Sequence, residues 1–282
     1  MTDVLLPARV GVLGGGRMGA GIAHAFLING AEVVVVEAND DAGAAARDRV
    51  ESAVAKSIER GLPEGDYAAR LRVSTDYAAF ADRDLVVEAV PEVWDLKIES
   101  LRNVEERLGE DAVLASNTSS FSVSGIAEQL RRPGRFLGLH FFNPVPASKL
   151  IEVVIGKQTE EALVADARAW TEALGKTPVV VNDAPGFASS RLGVAIALEA
   201  MRMVEEGVAS PDDIDNAMVL GYKHPTGPLR TTDIVGLDVR LGIAEYLEST
   251  LGPRFAPPQI LRDKVAQGEL GRKSGRGFFD WS

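Results

Sequence analysis

The residues best equipped for chemistry lie in three short runs: His140-Phe141-Phe142-Asn143-Pro144, Ser116-Asn117-Thr118-Ser119-Ser120 before it, and Glu152 after it. A histidine at the end of one apolar strand, an acid on the next and a nearby hydroxyl can together take a proton from an alcohol oxygen. An imidazole with a reference pKa near about 6.5 accepts a proton at neutral pH and returns it in the reverse direction. A partner carboxylate would fix its tautomer and stabilise the imidazolium, and Glu152 is the nearest acid on an adjacent strand. Of the three histidines, His24 falls inside a helix and His224 in the turn-like Lys223-His224-Pro225-Thr226-Gly227-Pro228, so His140 is the one expected to face a cleft. Taken singly, each of these residues also reads as structural; their combination is what points to catalysis.

The elements that must position them begin with Arg9-Val10-Gly11-Val12-Leu13, a run short enough for a buried strand. It breaks into Gly14-Gly15-Gly16-Arg17-Met18-Gly19 and then a helical pattern. Gly14, Gly16 and Gly19 fit the dinucleotide fingerprint: the first turns the chain, the second lets a pyrophosphate approach, and the third lets helix pack on strand. Arg17 and Met18 sit within that cofactor-binding turn, where the free N–H groups of the helix start meet phosphate charge. A second strand, Glu32-Val33-Val34-Val35-Val36, delivers Glu37 at its carboxyl end. A carboxylate there accepts hydrogen bonds from a ribose 2′-hydroxyl and repels a 2′-phosphate, so the expected cofactor is NAD rather than NADP.

Strand candidates continue at Leu71–Val73, Asp84–Val90, Ala112–Ser116, Arg135–Phe141, Leu150–Ile155 and Pro178–Val181, with helices expected over Ala42–Ala55, from Pro91 through Leu108, around Val123–Leu130 and over Thr159–Leu174. This alternation predicts an α/β fold, a Rossmann-type doubly wound, mainly parallel sheet covered on both faces. Ligands of such sheets lie beyond the carboxyl ends of the strands, where Ser116–Ser119, His140 and Asn143 all fall. After Ala184 the pattern becomes helical. The helix expected over Phe187–Glu206 has little polar face and calls for burial on several sides, in a helical core, a subunit interface or both. Ser210-Pro211-Asp212-Asp213 caps the next helix, and Gly221 suits its C-terminus. The expected domains are therefore 1–184, an NAD-binding Rossmann domain, and 185–282, a smaller all-α domain.

With 282 residues, 46% of them apolar, the chain can bury two ordinary cores. It has no cysteine, which excludes disulfides, thiolate nucleophiles and zinc-thiolate sites, and no metal site is expected. A net charge of -11 with no basic stripe argues against nucleic acid. The opening residues Met1–Pro7 hold neither a basic region nor a long apolar segment, and no later run approaches the roughly 20 apolar residues of a spanning helix. The expectation is a soluble, cytoplasmic protein without a membrane partner.

The runs Gly14–Gly19, Val87-Glu88-Ala89-Val90-Pro91-Glu92, Ala115–Ser120, Gly138–Pro144, Ala184-Pro185-Gly186-Phe187, Gly227-Pro228-Leu229 and Gly271–Phe278 resemble those of the L-3-hydroxyacyl-CoA dehydrogenase family, most of all its short bacterial 3-hydroxybutyryl-CoA dehydrogenase type. The resemblance spans almost the whole chain, and the His-Phe-Phe-Asn-Pro and Ser-Asn-Thr-Ser-Ser runs carry most of its specificity. It implies an NAD-dependent oxidation of an acyl-CoA thioester's 3-hydroxyl, as in fatty-acid β-oxidation, by a homodimer paired through its C-terminal helices. It implies His140 as the base, Glu152 as its orienting partner and Ser119 as a hydrogen-bond donor to the 3-oxygen. Glu92, Lys97, Asn117 and Asn143 would help hold NAD, Lys97 also lying close to the thioester, and Lys273 would reach the cofactor from the tail. Lys97 reads equally as a solvated helix lysine, Lys273 as a tail residue, and Ser119 as a turn or cap hydroxyl.

Where the family commonly places an asparagine, three residues after the phenylalanine of Pro-Gly-Phe, this chain has Ser190. Serine is shorter and offers one hydroxyl donor to a thioester carbonyl; the expectation is that it keeps the role. Lys56 and Arg60, one helical turn apart, are candidates for the CoA phosphates and equally a solvated helix face. A free hydroxy acid such as gulonate would instead need an arginine clamp, for which Arg191 is a candidate. A non-catalytic NAD-binding protein is the remaining alternative.

Overall fold

A computed structural model describes residues 6–282; Met1–Leu5, part of the stretch read above for targeting signals, lie outside the described residues. The chain divides into two compact units, one ending at Ala184 and the other running from Pro185 to Ser282.

In the first unit the short aliphatic runs form eight strands: β1 (Arg9–Leu13), β2 (Glu32–Val36), β3 (Leu71–Ser74), β4 (Leu85–Glu88), β5 (Val113–Ser116), β6 (Phe136–Phe141), β7 (Leu150–Ile155) and β8 (Thr177–Asn182). They make one sheet in the order β3-β2-β1-β4-β5-β6-β7-β8. Helices α1 (Arg17–Ile28), α2 (Asp40–Glu59), α3 (Trp94–Glu105), α4 (Val123–Ala127) and α5 (Glu161–Ala173) connect the strands. Every neighbouring pair is parallel except β6 and β7. A parallel pair needs a long crossover, normally a helix; residues 142–149 hold none, so the chain doubles back and β7 runs antiparallel. The resulting register sets His140 directly opposite Glu152. The sheet core is almost wholly aliphatic, with Val10, Val12, Val33, Val35, Leu85, Val87, Leu137 and Val153 each no more than 2% exposed.

Two helix starts differ from the sequence reading. Helix α3 begins at Trp94 rather than Pro91, because the Val93 amide turns back to the Pro91 carbonyl at 2.7 Å and Val93 itself is extended; a three-residue turn of this kind cannot also be the first turn of a helix. This leaves Glu92 ahead of the helix. In the second unit α6 (Ser189–Glu205) starts after Phe187, whose φ of 49° lies in the left-handed region, rather than at it. Helix α6 buries Val194, Ala197, Leu198, Ala200 and Met201, while Leu192 and Ile196 remain 63% and 38% exposed.

The remaining helices of the second unit are α7 (Pro211–Asn216), α8 (Pro228–Val235), α9 (Leu237–Leu251) and α10 (Gln259–Ala266). Ser210 caps α7 as expected, its Oγ accepting from the Asp213 amide. The chain then continues as a wide helical turn over Ala217–Gly221, so Tyr222 rather than Gly221 closes it. Met201, Leu229, Leu237, Ala244, Leu247 and Leu261 pack as its core. The tail is tied to α8 by Asp233, whose buried carboxylate accepts from the Phe278 and Phe279 amides at 2.9 Å and from Trp281 Nε1 at 2.8 Å. A Cβ on Gly277 would stand 2.2 Å from Asp233 Oδ1, so only glycine lets the tail lie this close.

His24, in α1, is a core histidine. It is 1% exposed, and its Nε2 lies 2.8 Å from Ser57 Oγ. That hydroxyl already donates to the Ala53 carbonyl, so Nε2 carries the hydrogen and Nδ1 is left buried without a partner. Burial, helped by the nearby Lys176 charge, holds its pKa below the usual histidine value.

Removing the Asp233 carboxylate strands three donors. Asp233→Ala is expected to cost about 3–5 kcal/mol of stability, read from urea unfolding. Because the folded pKa of His24 is depressed, its stabilising contribution is full above the unfolded value of about 6.5 and is lost as pH falls below it. A melting-temperature series from pH 7 to pH 5 should therefore decline more steeply for the natural chain than for His24→Gln.

Candidate active site

At the end of β1 the chain turns through Gly14, at φ 88°, and the Gly14 amide bonds the Val36 carbonyl at 2.9 Å. A Cβ on Gly19 would fall 1.7 Å from the Gly14 carbonyl oxygen, whereas one on Gly16 would meet nothing within 4 Å. Gly14 thus makes a left-handed turn, Gly16 leaves open space beside its backbone, and Gly19 lets the helix pack closely. Gly15, which the fingerprint leaves unassigned, is equally constrained, since its Cβ would stand 2.3 Å from that of Ala46. Glu37 folds toward this turn, Oε1 accepting from the Gly15 amide at 2.6 Å. The donor set and the open glycine backbone fit a dinucleotide.

Beyond the carboxyl ends of β1, β4, β5 and β6 lies a cavity of about 340 Å³ lined by Met18, Glu92, Lys97, Asn117, Ser119, His140 and Asn143, among others. His140 is 6% exposed and Glu152 wholly buried behind it, with Nδ1 2.8 Å from Glu152 Oε2. An ionised carboxylate only accepts, so Nδ1 carries the hydrogen and Nε2 holds the basic lone pair. The Phe142 ring lies against the imidazole, centroids 4.4 Å apart. Asn117 joins the ends of two strands: its Oδ1 accepts from the Phe141 amide at 2.8 Å and its own amide bonds the Glu88 carbonyl at 2.8 Å.

Lys97 is no solvated helix lysine. It is 1% exposed, and its Nζ lies 2.7 and 2.8 Å from the two oxygens of Glu88 and 3.2 Å from Glu92. Glu88, which sequence reasoning gave no role, also accepts from Ser116 Oγ and from the Val90 amide, each at 2.7 Å. Its only signal in the sequence is a single acid closing the apolar run Leu85-Val86-Val87. Burial raises its pKa against the opposing pull of Lys97, Ser116 and the Val90 amide. Glu92 is penalised by burial too, yet Lys97 and the hydroxyls of Thr118 and Ser120 outweigh this and hold its carboxyl below the ordinary value. Its Oε1 also accepts from the Ser119 and Ser120 amides at 3.1 and 3.2 Å, so it shapes the loop that presents Ser119. The same loop is held at its far end by Asp183, whose Oδ2 accepts from Ser122 Oγ at 2.7 Å and the Ser124 amide at 2.8 Å.

Lys56 and Arg60 do not line this cavity. They flank a separate groove of about 540 Å³ with Arg17, Arg49 and the Asn143–Pro146 loop. Ser190 and Lys273 belong to the second unit: Ser190 is half-buried in the first turn of α6, and Lys273 pairs with Asp238 at 2.6 Å. Among the described residues no histidine, cysteine or acid cluster suits a metal ion, and no helix is long and apolar enough to cross a membrane.

Two sequence-family models match the chain: the NAD binding domain of 3-hydroxyacyl-CoA dehydrogenase over residues 9–184 and the C-terminal domain of the same family over 186–281. A probable 3-hydroxybutyryl-CoA dehydrogenase of Deinococcus radiodurans is 40% identical over 278 residues, 97% of this chain and 100% of that protein. The 3-hydroxybutyryl-CoA dehydrogenase of Mycobacterium tuberculosis is 42% identical over 292 residues, covering both chains completely. The crystal structure of (S)-3-hydroxybutyryl-CoA dehydrogenase from Ralstonia eutropha superposes with a TM-score of 0.94 at 38% identity, covering 98% of this chain and 99% of that one.

The Lys97–Glu88 pair is buried deeply enough that removing one partner leaves an uncompensated charge. Lys97→Met and Glu88→Gln should each lose about 3–5 kcal/mol in urea unfolding, and the double variant clearly less than their sum.

Proposed function

The chain belongs to the 3-hydroxyacyl-CoA dehydrogenase family, and from that premise we propose that it oxidises the 3-hydroxyl of an L-3-hydroxyacyl-CoA with NAD, or reduces the 3-ketone in reverse, using His140 as the proton carrier. The buried His140–Glu152 pair, opening on the same cavity as Ser119, Asn117 and Lys97, is the observation that carries this reading. Gly14, Gly16, Arg17, Met18 and Gly19 would hold the cofactor's diphosphate, Glu37 its adenosine ribose, and Glu92, Lys97, Asn117 and Asn143 its nicotinamide end, with Lys273 contributing from the tail. NAD, when bound, accepts the hydride that leaves C3.

The chain's own part is proton management and orientation. Glu152 obliges Nδ1 to be the donor, so Nε2 takes the hydroxyl proton as the hydride departs and is stabilised as imidazolium by the same carboxylate. Ser119 donates to the 3-oxygen, held in place by the Glu92 contacts to its own loop. Ser190 donates to the thioester carbonyl with one hydroxyl where relatives use an amide. Lys56 and Arg60, sharing a groove with Arg17 and Arg49, supply the cations that CoA phosphates require in a chain of net charge -11. Nothing in that acidic surface recommends nucleic acid as a partner. The exposed apolar side chains Leu192, Ile196, Leu220, Tyr222, Ile234, Val235 and Val239 of the helical unit support pairing of two chains, and the work is that of a cytoplasmic enzyme.

NADH absorbance, followed in parallel with 3-hydroxybutyryl-CoA, free 3-hydroxybutyrate and gulonate, tests the reading: turnover should be confined to the thioester. His140→Ala should lower kcat roughly 10²–10⁴-fold with NAD binding retained, and Glu152→Gln should fall in the same direction because an amide no longer dictates the tautomer. A Ser190→Ala variant with unchanged kcat and KM would remove Ser190 from the site.

A further inference from the structure

The segment between β6 and β7 walls two sites at once. Asn143 lines the cavity that holds His140, and Asn143, Pro144, Val145 and Pro146 form one side of the groove that carries Lys56 and Arg60. Two prolines leave this segment short of donors for bonds of its own. The Ala147 and Ser148 amides both turn back to the Pro144 carbonyl at 3.0 Å. The carbonyls of Val145 and Ser148 take no part in that turn, and both accept from a single ammonium, Lys176 Nζ, at 2.7 and 2.5 Å.

Lys176 is delivered by the end of a helix. Beyond Leu174, which closes α5, Gly175 takes φ 71°, and the amides of Gly175 and Lys176 return to the Glu172 and Thr171 carbonyls at 2.9 and 3.1 Å, the paired bonds of a glycine-closed helix. The next amide, of Thr177, bonds the Lys149 carbonyl at 2.6 Å, so the backbone is fixed on both sides of the lysine. Burial pulls the Lys176 pKa down, with no acid among its causes, because the ammonium has exchanged water for two carbonyl dipoles. Val145 is gripped from its other side as well. It is 2% exposed, and a Cβ on Gly21 of α1 would stand 2.8 Å from its own Cβ. A partly desolvated lysine and a glycine inside a helix each cost stability, and both act on the residue that walls the groove.

We propose that Lys176 is a positioning residue for the coenzyme half of the substrate: by holding the Val145 and Ser148 carbonyls it sets the groove wall that stands with Lys56 and Arg60 around the CoA phosphates. The inference rests on the assignment of that groove to CoA and deepens it. Lys176 acts through the loop and takes no part in hydride or proton transfer. His140 and Glu152 are held by strand register and Ser119 by the Glu92 contacts to its loop, so loss of the tether weakens capture of the thioester without slowing the chemistry at C3.

The test measures kcat and KM for 3-hydroxybutyryl-CoA and for 3-hydroxybutyryl-pantetheine, which carries the same acyl thioester without nucleotide or phosphate. In the natural chain the pantetheine thioester should have the higher KM. Lys176→Met should raise KM for the CoA thioester roughly tenfold, hold kcat within about twofold, and leave KM for the pantetheine thioester nearly unchanged. Lys176→Arg, which keeps the charge and more than one donor, should recover most of the loss. Gly21→Ala displaces Val145 from the α1 side and should give the same split with Lys176 intact, which decides the matter if Lys176→Met does not fold. Unchanged KM for the CoA thioester, equal changes for both thioesters, or a fall in kcat alone overturns the positioning role while the dehydrogenase reading stands. Equal KM for the two thioesters in the natural chain overturns the groove assignment and this inference with it, and absence of turnover with either overturns the dehydrogenase reading too.

Discussion

The structure depends most on a reversal of chain direction. Six strands, β1 to β6, lie parallel, and had the next crossover been another helix, the residue beside His140 would have come from a parallel neighbour with slanted pairing. Instead the helix-free segment after Phe141 brings β7 back antiparallel, and His140 and Glu152 face each other across one rung of the ladder. Strand geometry, rather than a mobile loop, therefore sets the 2.8 Å contact between imidazole and carboxylate. Such a pair loses little entropy when it acts, because both backbones are already held by their neighbours.

A second constraint is a buried cluster of charges. Glu88 and Glu92 close on Lys97 from β4 and from the turn after it, and through Ser116, Thr118, Ser119 and Ser120 they bind the end of β5 and the loop beyond. One ammonium shared by two carboxylates keeps a buried, hydrogen-bonded cluster from carrying an isolated charge. The ends of β4 and β5 are thereby tied into one wall of the cavity.

The sheet was readable because its strands are short aliphatic runs punctuated by glycine and charge, and the fingerprint because Gly14 takes a left-handed turn and Gly19 leaves no room for a Cβ beside the Gly14 carbonyl. The cross-strand partner of His140 was readable for the same reason, as an acid inside an otherwise apolar run. Lys97 was ambiguous: helical spacing says which face a lysine takes, not whether two acids from other elements cover it. Glu88 was passed over because an acid at a strand end looks the same whether it greets a ligand, as was expected of Glu37, or is sealed inside. The late starts of α3 and α6 come from a three-residue turn at Pro91–Val93 and a left-handed Phe187, local geometries without a compositional mark. The hold of Asp233 on Phe278, Phe279 and Trp281 crosses more than forty positions and leaves no periodic trace.

Asp183 gives the first unit a mechanical property. It stands one residue before that unit ends, and its carboxylate grips Ser122 and Ser124, a few positions downstream of Ser119. The strap leaving the sheet is thus riveted to the segment that follows Ser119. The chain therefore leaves this unit from a point pinned by two hydrogen bonds to the Ser122–Ser124 segment, not from a slack tether.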